Sequence, residues 1–111
     1  MLWGKKLYQM KYVSRVSAIM EKFNQGELKD TGIGYLARFQ GKFLYLDRIV
    51  YGKKEPLVRM EYCRATDEWE FAIFKWSSET YDPDSFMFPG YELFDGTIEG
   101  AMKAGMEAYP V

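Results

Sequence analysis

The first twenty-odd residues carry apolar side chains at helical spacing. Tyr12, Val13, Val16, Ile19, Met20 and Phe23 recur every three or four positions, which predicts a helix over 5–24 with one buried stripe. Trp3, Leu7 and Met10 fall on a neighbouring arc. Asn24-Gln25-Gly26 supplies the stop, with Gly26 free to take the left-handed conformation. After the polar stretch 27–32 the period changes to two. Ile33, Tyr35, Ala37 and Phe39 alternate with Gly34, Leu36 and Arg38, as in a strand with one apolar face.

Gln40-Gly41 then reads as a tight turn into a second strand, 42–51. That strand is apolar on both sides: Phe43, Tyr45, Ile49 and Tyr51 on one, Leu44, Leu46 and Val50 on the other, interrupted only by Asp47 and Arg48. A strand of this kind sits inside a sheet, covered on both faces. Gly52-Lys53-Lys54-Glu55 reads as the next turn. Pro56 opens a third strand, 57–65, where a missing N–H is tolerated. Thr66-Asp67-Glu68 turns into a fourth strand over 69–76, with Trp69, Phe71 and Ile73 opposed to Ala72, Phe74 and Trp76. Its aromatic residues Trp69, Phe71 and Trp76 are expected to be mostly buried.

Residues 77–95 have little periodicity and are long for a connection in a small domain. Tyr81, Phe86, Met87, Phe88, Tyr91, Leu93 and Phe94 nevertheless make the stretch too apolar for a solvated linker, and a short strand near Tyr91 to Phe94 fits it. Thr97 caps a last helix, 98–109, whose stripe is Ile98, Ala101, Met102, Gly105 and Tyr109. The small residues Ala101 and Gly105 permit close approach to a sheet, and Pro110 ends the helix.

The expected fold is therefore α+β: one domain over 1–111, a four-stranded antiparallel meander with an N-terminal and a C-terminal helix in the order αββββα. With both helices on one face of the sheet, the aromatic residues of the other face need a cover. Residues 81–94, a second subunit or a ligand could each supply it.

Composition narrows the chemistry. The chain has 111 residues, no histidine, one cysteine and a formal charge of -1. Histidine-based acid–base catalysis, histidine metal ligation, a disulfide framework and a cysteine zinc cluster are all excluded. The near-zero charge speaks against a dedicated nucleic-acid binder, and the expected affinity for duplex DNA or structured RNA is weak and non-specific. Charge is unevenly spread. Residues 1–29 hold six bases against two acids, and residues 77–111 hold seven acids against one base. The two ends could attract one another within a chain or between subunits, or remain two solvated faces. No secretory leader, membrane span or lipidation motif is read, and the lone Cys63 fits a reducing compartment, so the expected location is cytoplasmic.

Several motifs dissolve on inspection. Gly32-Ile33-Gly34-Tyr35-Leu36-Ala37 has a loose dinucleotide pattern, but a helix precedes it and a strand follows, the reverse of what a pyrophosphate site needs. Asp82-Pro83-Asp84-Ser85 lacks the later oxygens of a calcium loop and reads as an Asx turn. Glu61, Asp67, Glu68 and Glu70 cluster around strands three and four, where cross-strand pairing with Arg59 and Arg64 explains them without catalysis. Cys63 has no histidine to activate it and reads as a small core residue. Aromatic residues amount to 18% of the chain, and on a sheet they could stack bases, but Gly41-Lys42-Phe43-Leu44-Tyr45 only scrambles the RNA-recognition strand signature.

Three stretches carry a resemblance. They are Leu46-Asp47-Arg48 with Tyr51-Gly52 and Glu55-Pro56-Leu57; Trp69-Glu70-Phe71-Ala72-Ile73-Phe74-Lys75 with Ser77-Ser78 and Tyr81; and Phe88-Pro89-Gly90 leading into Asp95-Gly96-Thr97-Ile98-Glu99-Gly100-Ala101. Over roughly 33–110 the chain resembles a set of small bacterial proteins without an established activity, also found among mobile gene cassettes. The resemblance implies no catalytic or ligand-binding residues.

The reading that follows is a non-enzymatic interaction module, with no catalytic residues, metal or cofactor, that self-associates, as a dimer, through an aromatic sheet face or the aromatic loop. The alternative is a small-molecule binding domain or an enzyme, with a pocket for an apolar or aromatic ligand between the sheet and loop 77–95. Trp76, Tyr81, Phe86, Phe88 and Tyr91 are the candidate binding residues.

Overall fold

The computed structural model describes residues 15–63, 65–84 and 88–110. Trp3, Leu7, Met10, Tyr12 and Val13 of the expected first helix, and Phe86 and Met87 of the loop, lie outside the described residues. Within them the chain is α+β: a helix over 15–25 (α1), a five-stranded antiparallel sheet and a C-terminal helix, Ile98–Ala108 (α2). The strands are β1 (Ile33–Gln40), β2 (Phe43–Val50), β3 (Lys53–Cys63), β4 (Glu68–Lys75) and β5 (Thr80–Asp82), arranged in sequence order as a meander.

The turns explain the registers. Gln40 pairs with Phe43 around Gly41, which takes φ 60° at the first central position, where a two-residue hairpin reserves a place for glycine. Val50 pairs with Lys53 around Tyr51 and Gly52, both at positive φ, the requirement of a type I′ turn. The second turn is thus Tyr51-Gly52 rather than 52–55. Lys53, Lys54 and Glu55 are polar because they form the solvent-facing start of β3. Pro56 lies inside that strand, opposite Asp47, where the register slips between Leu46 and Asp47. Leu57 is the extra residue of this bulge, one of the few places in a sheet that tolerates proline.

The expected count of four strands is corrected to five, and the strand expected near Tyr91 to Phe94 is a single 3-10 turn, Tyr91–Leu93. β5 is short because Pro83 follows it immediately. Gly26 also departs from expectation. It is not left-handed; instead the chain passes so close to Lys22 O that a Cβ at position 26 would lie 2.8 Å from it.

The two helices share one core with one face of the sheet. Val16 and Met20 of α1 and Ile98, Ala101, Met102 and Ala104 of α2 are buried with Tyr35, Leu44, Leu46, Val58, Met60, Trp69, Phe71 and Ile73. The stripe read for α2 holds because Gly105 lets its backbone descend onto Leu57. Thr97 caps the helix by accepting from Gly100 N at 3.0 Å. Two tyrosines tie helix to sheet: the Tyr35 hydroxyl donates to Met102 O at 2.8 Å, and the Tyr109 hydroxyl donates to Phe74 O at 2.7 Å. Burial pushes the Tyr35 phenol far above the ordinary tyrosine range.

Segment 88–96 also packs on the helix side. The Phe71 ring lies 5.9 Å from that of Phe88 and 4.6 Å from that of Phe94, and Trp69 N donates to Gly96 O at 3.0 Å. Gly90 passes so close to α2 that a Cβ there would lie 2.3 Å from Glu107 Cβ. This part of the aromatic loop is a layer of the helix-side core.

Candidate functional site

The opposite face of the sheet carries no helix among the described residues. Strand alternation sends Leu36 and Arg38, Phe43 and Tyr45, Arg59 and Glu61, Glu70 and Phe74, and Tyr81 to it. Its aromatic rings form a continuous series of edge contacts. Centroids are 6.1 Å apart for Phe43 and Tyr45, 5.4 Å for Tyr45 and Tyr81, 5.1 Å for Tyr81 and Phe74, and 5.0 Å for Phe74 and Trp76. Tyr81 stretches from the last strand towards β2, and between them Ala72 presents only a methyl group.

Cations cover the rings. The guanidinium of Arg38 sits 4.4 Å from the Tyr45 centroid, and that of Arg59 sits 4.4 Å from Phe43 and 5.6 Å from Tyr81. Beneath them lies Asp47, whose Oδ2 is 3.6 Å from Arg38 Nε and 3.5 Å from Lys54 Nζ. Those are ion-pair distances; Oδ2 makes no hydrogen bond. Burial, and secondarily the Asp47 charge, push the Tyr81 phenol up to about 12.

A shallow depression of about 270 Å³ opens beside this cluster, between Phe43, Arg59, Glu61, Glu70 and Ala72. Glu61 and Glu70 are direct cross-strand partners, and Glu61 is drawn to Lys42 at 3.7 Å. Arg59 and Glu70, one register step apart on the diagonal, each lack an ion pair among the described residues. Cys63 ends β3 beside this region. It is half-buried rather than part of the core, and a hydrogen bond from the Thr66 side chain holds its thiol below the usual range. No cluster of three metal-ligating side chains forms among the described residues.

The five sequence-derived candidates do not converge. Trp76 and Tyr81 meet through Phe74 on the helix-free face. Phe88 and Tyr91, 5.5 Å apart, lie on the helix side. Phe86 lies outside the described residues. Trp76, expected to be buried, is 48% exposed just beyond the end of β4, whereas Trp69 and Phe71 are buried. Sequence reasoning missed Arg38, Tyr45, Asp47 and Arg59. Their signal was available in the alternation: Arg38 and Arg59 both fall opposite Tyr45 once the two hairpins are in register.

No family model matches this chain, and no curated protein or solved structure matches it either. No helix among the described residues is long and apolar enough to cross a membrane.

Proposed function

We propose that the chain is a non-enzymatic interaction module that self-associates through the helix-free face of its sheet. The observation that carries this reading is the one-sidedness of the fold. Both helices and segment 88–96 pack on the same side, which leaves the aromatic series and its guanidinium groups without a protein layer among the described residues. Buried aromatic and arginine side chains are the groups that contribute most at protein interfaces. The face is also self-complementary. A two-fold axis lying in the interface midway between Arg59 and Glu70 brings each onto the other's counterpart in the second copy. Glu61 and Glu70 beside Arg59 repel a phosphate backbone, so a protein surface fits this face better than a nucleic acid does.

Size-exclusion chromatography with light scattering tests the reading. The parent should run as a dimer at high micromolar concentration. Arg59→Glu and Glu70→Arg should each shift it towards monomer, and the double variant should restore the dimer. A parent that stays monomeric overturns the proposal, as does a double variant no better than either single one.

A further inference from the structure

Among the described residues β1 is an edge strand, and one side chain already shows what its outer edge accepts. Asn24, in the last turn of α1, places its carboxamide against the backbone of Tyr35. Tyr35 N donates to Asn24 Oδ1 at 2.8 Å, and Asn24 Nδ2 donates to Tyr35 O at 3.1 Å. The carboxamide thus makes the same pair of bonds that a neighbouring strand would make. Because both groups of Tyr35 point outward, strand alternation points those of Ala37 and Phe39 outward as well. Neither Ala37 nor Phe39 has a hydrogen-bond partner on that side among the described residues.

The edge is not a bare rim. Between α1 and β1 runs an open groove of about 330 Å³, floored by Met20, Asn24, Tyr35 and Ala37, with Leu36 46% exposed at its lip. A helix beside an unpaired strand is the arrangement in which proteins take an extended peptide as an extra strand. The opposite edge offers little of this kind: β5 has three residues and ends at Pro83.

We propose that the β1 edge binds an extended peptide of the pattern apolar–acidic–apolar, added antiparallel to Ala37–Phe39. The side chains flanking the acidic residue lie on the helix side, beside Ala37 and Phe39, within reach of Met20. The middle side chain lies on the other face beside Arg38, which is exposed there while bonding to Gln40, pairing with Asp47 and stacking over Tyr45. A second β1 fits this edge less well than an acidic peptide. Pairing two copies about Arg38 sets Arg38 against itself, a repulsive cross-strand pair. Shifting the pairing towards Tyr35 runs into Asn24. The backbone bonds and the two apolar side chains lie at the edge and on the helix side, away from the face proposed above to self-associate. Only the acidic side chain shares Arg38 with that face, so the N-methylated peptide tests the edge whatever the outcome of the self-association experiment.

Fluorescence anisotropy with labelled pentapeptides provides the test. An acetylated Thr-Val-Glu-Val-Thr amide should bind saturably. The Thr-Val-Lys-Val-Thr peptide should bind at least tenfold more weakly, and so should a Thr-Val-Glu-Val-Thr peptide N-methylated at both valines. Ala37→Pro deletes an outward N–H while leaving the β1–β2 ladder intact, and should weaken binding by a similar factor with an unchanged circular dichroism spectrum. Equal binding of the methylated peptide overturns the proposal, as does absence of binding by the acidic peptide. A folded Ala37→Pro protein that binds like the parent overturns it too. If that variant does not fold, the methylated peptide on the parent protein decides.

Discussion

Asp47 and Arg48 are consecutive in β2, are 2% and 5% exposed, and point to opposite faces of the sheet. Arg48 crosses to the C-terminal end of α2, where its Nη1 donates to Tyr109 O and approaches Met106 Sδ at 3.9 Å. A cation at that end of a helix satisfies a free carbonyl and meets the negative pole of the helix dipole. Asp47 anchors Arg38 and Lys54 on the helix-free face. One dipeptide therefore ties the helix layer to one side of β2 and organises the charged surface on the other.

Arg48→Met should keep most of the buried volume but remove the charge-assisted bond to Tyr109 O. Hydrogen bonds of this type contribute about 1.5–3 kcal/mol. We expect a urea unfolding midpoint lowered by a corresponding amount, with amide exchange increased first in the last turn of α2. An unchanged midpoint and unchanged exchange would show that the carbonyl is equally well served by water.

Gly105 sits over Leu57, and a Cβ at position 105 would lie 2.7 Å from Leu57 Cδ2. Leu57 is only 1% exposed and held in the bulge opposite Asp47, so it cannot swing away. Gly105→Ala gains helix propensity of about 1 kcal/mol. Overpacking of this kind costs about 1–3 kcal/mol. Net destabilisation is expected, with Leu57→Val relieving part of it in a double-mutant cycle. A stabilised Gly105→Ala protein would mean that Leu57 yields to the added methyl group.

The sheet side of this architecture was readable because it depends on period. The alternation in β1 and β4, the two-sided β2 and the Ile98–Ala101–Met102–Gly105 stripe all report which face meets the core. What escaped has no period. β5 has three residues, too few to alternate, and the turn at Tyr51 places a bulky residue where composition suggests Gly or Asn. Asp47 and Arg48 read as breaks in an apolar strand, whereas Asp47 is buried against cations of the two neighbouring strands and Arg48 against the far end of α2. Asn24 read only as a helix stop. Its bonds to Tyr35 depend on the path of residues 26–32, which carries no local signal.

Phe71 is the residue on which the aromatic loop settles, with Phe88 and Phe94 both in ring contact. Phe71→Ala should cost about 3–5 kcal/mol, the range for deleting a buried ring. Trp76→Ser, by contrast, should change stability little, because Trp76 is half exposed and touches the series only through Phe74. Urea titration of both variants checks the contrast. Similar losses for the two would contradict the assignment of Phe71 to the core and Trp76 to the surface.

The titration of Tyr81 gives a pH dependence whose sign follows from its surroundings. Its phenol is pushed up to about 12 by burial and then by the Asp47 charge, against an ordinary value of 10.0. Below pH 10 both folded and unfolded chains hold the proton, and the full contribution to stability is present. Between pH 10 and about 12 the unfolded chain releases the proton while the folded one keeps it, so stability falls as pH rises. Other tyrosines and lysines titrate in the same window, so the parent curve alone does not isolate the effect. Tyr81→Phe keeps the ring in contact with Tyr45 and Phe74 but cannot ionise, so its urea midpoint should fall less steeply above pH 10 than the parent's. Asp47→Asn supplies the second arm. With that carboxylate neutralised, the Tyr81 phenol should titrate at lower pH, visible as an earlier rise in phenolate absorbance that is absent when Tyr81→Phe is added. Parallel pH curves for parent and Tyr81→Phe, together with an unmoved phenolate transition in Asp47→Asn, would mean that Tyr81 is solvated and that the aromatic series does not close over Asp47.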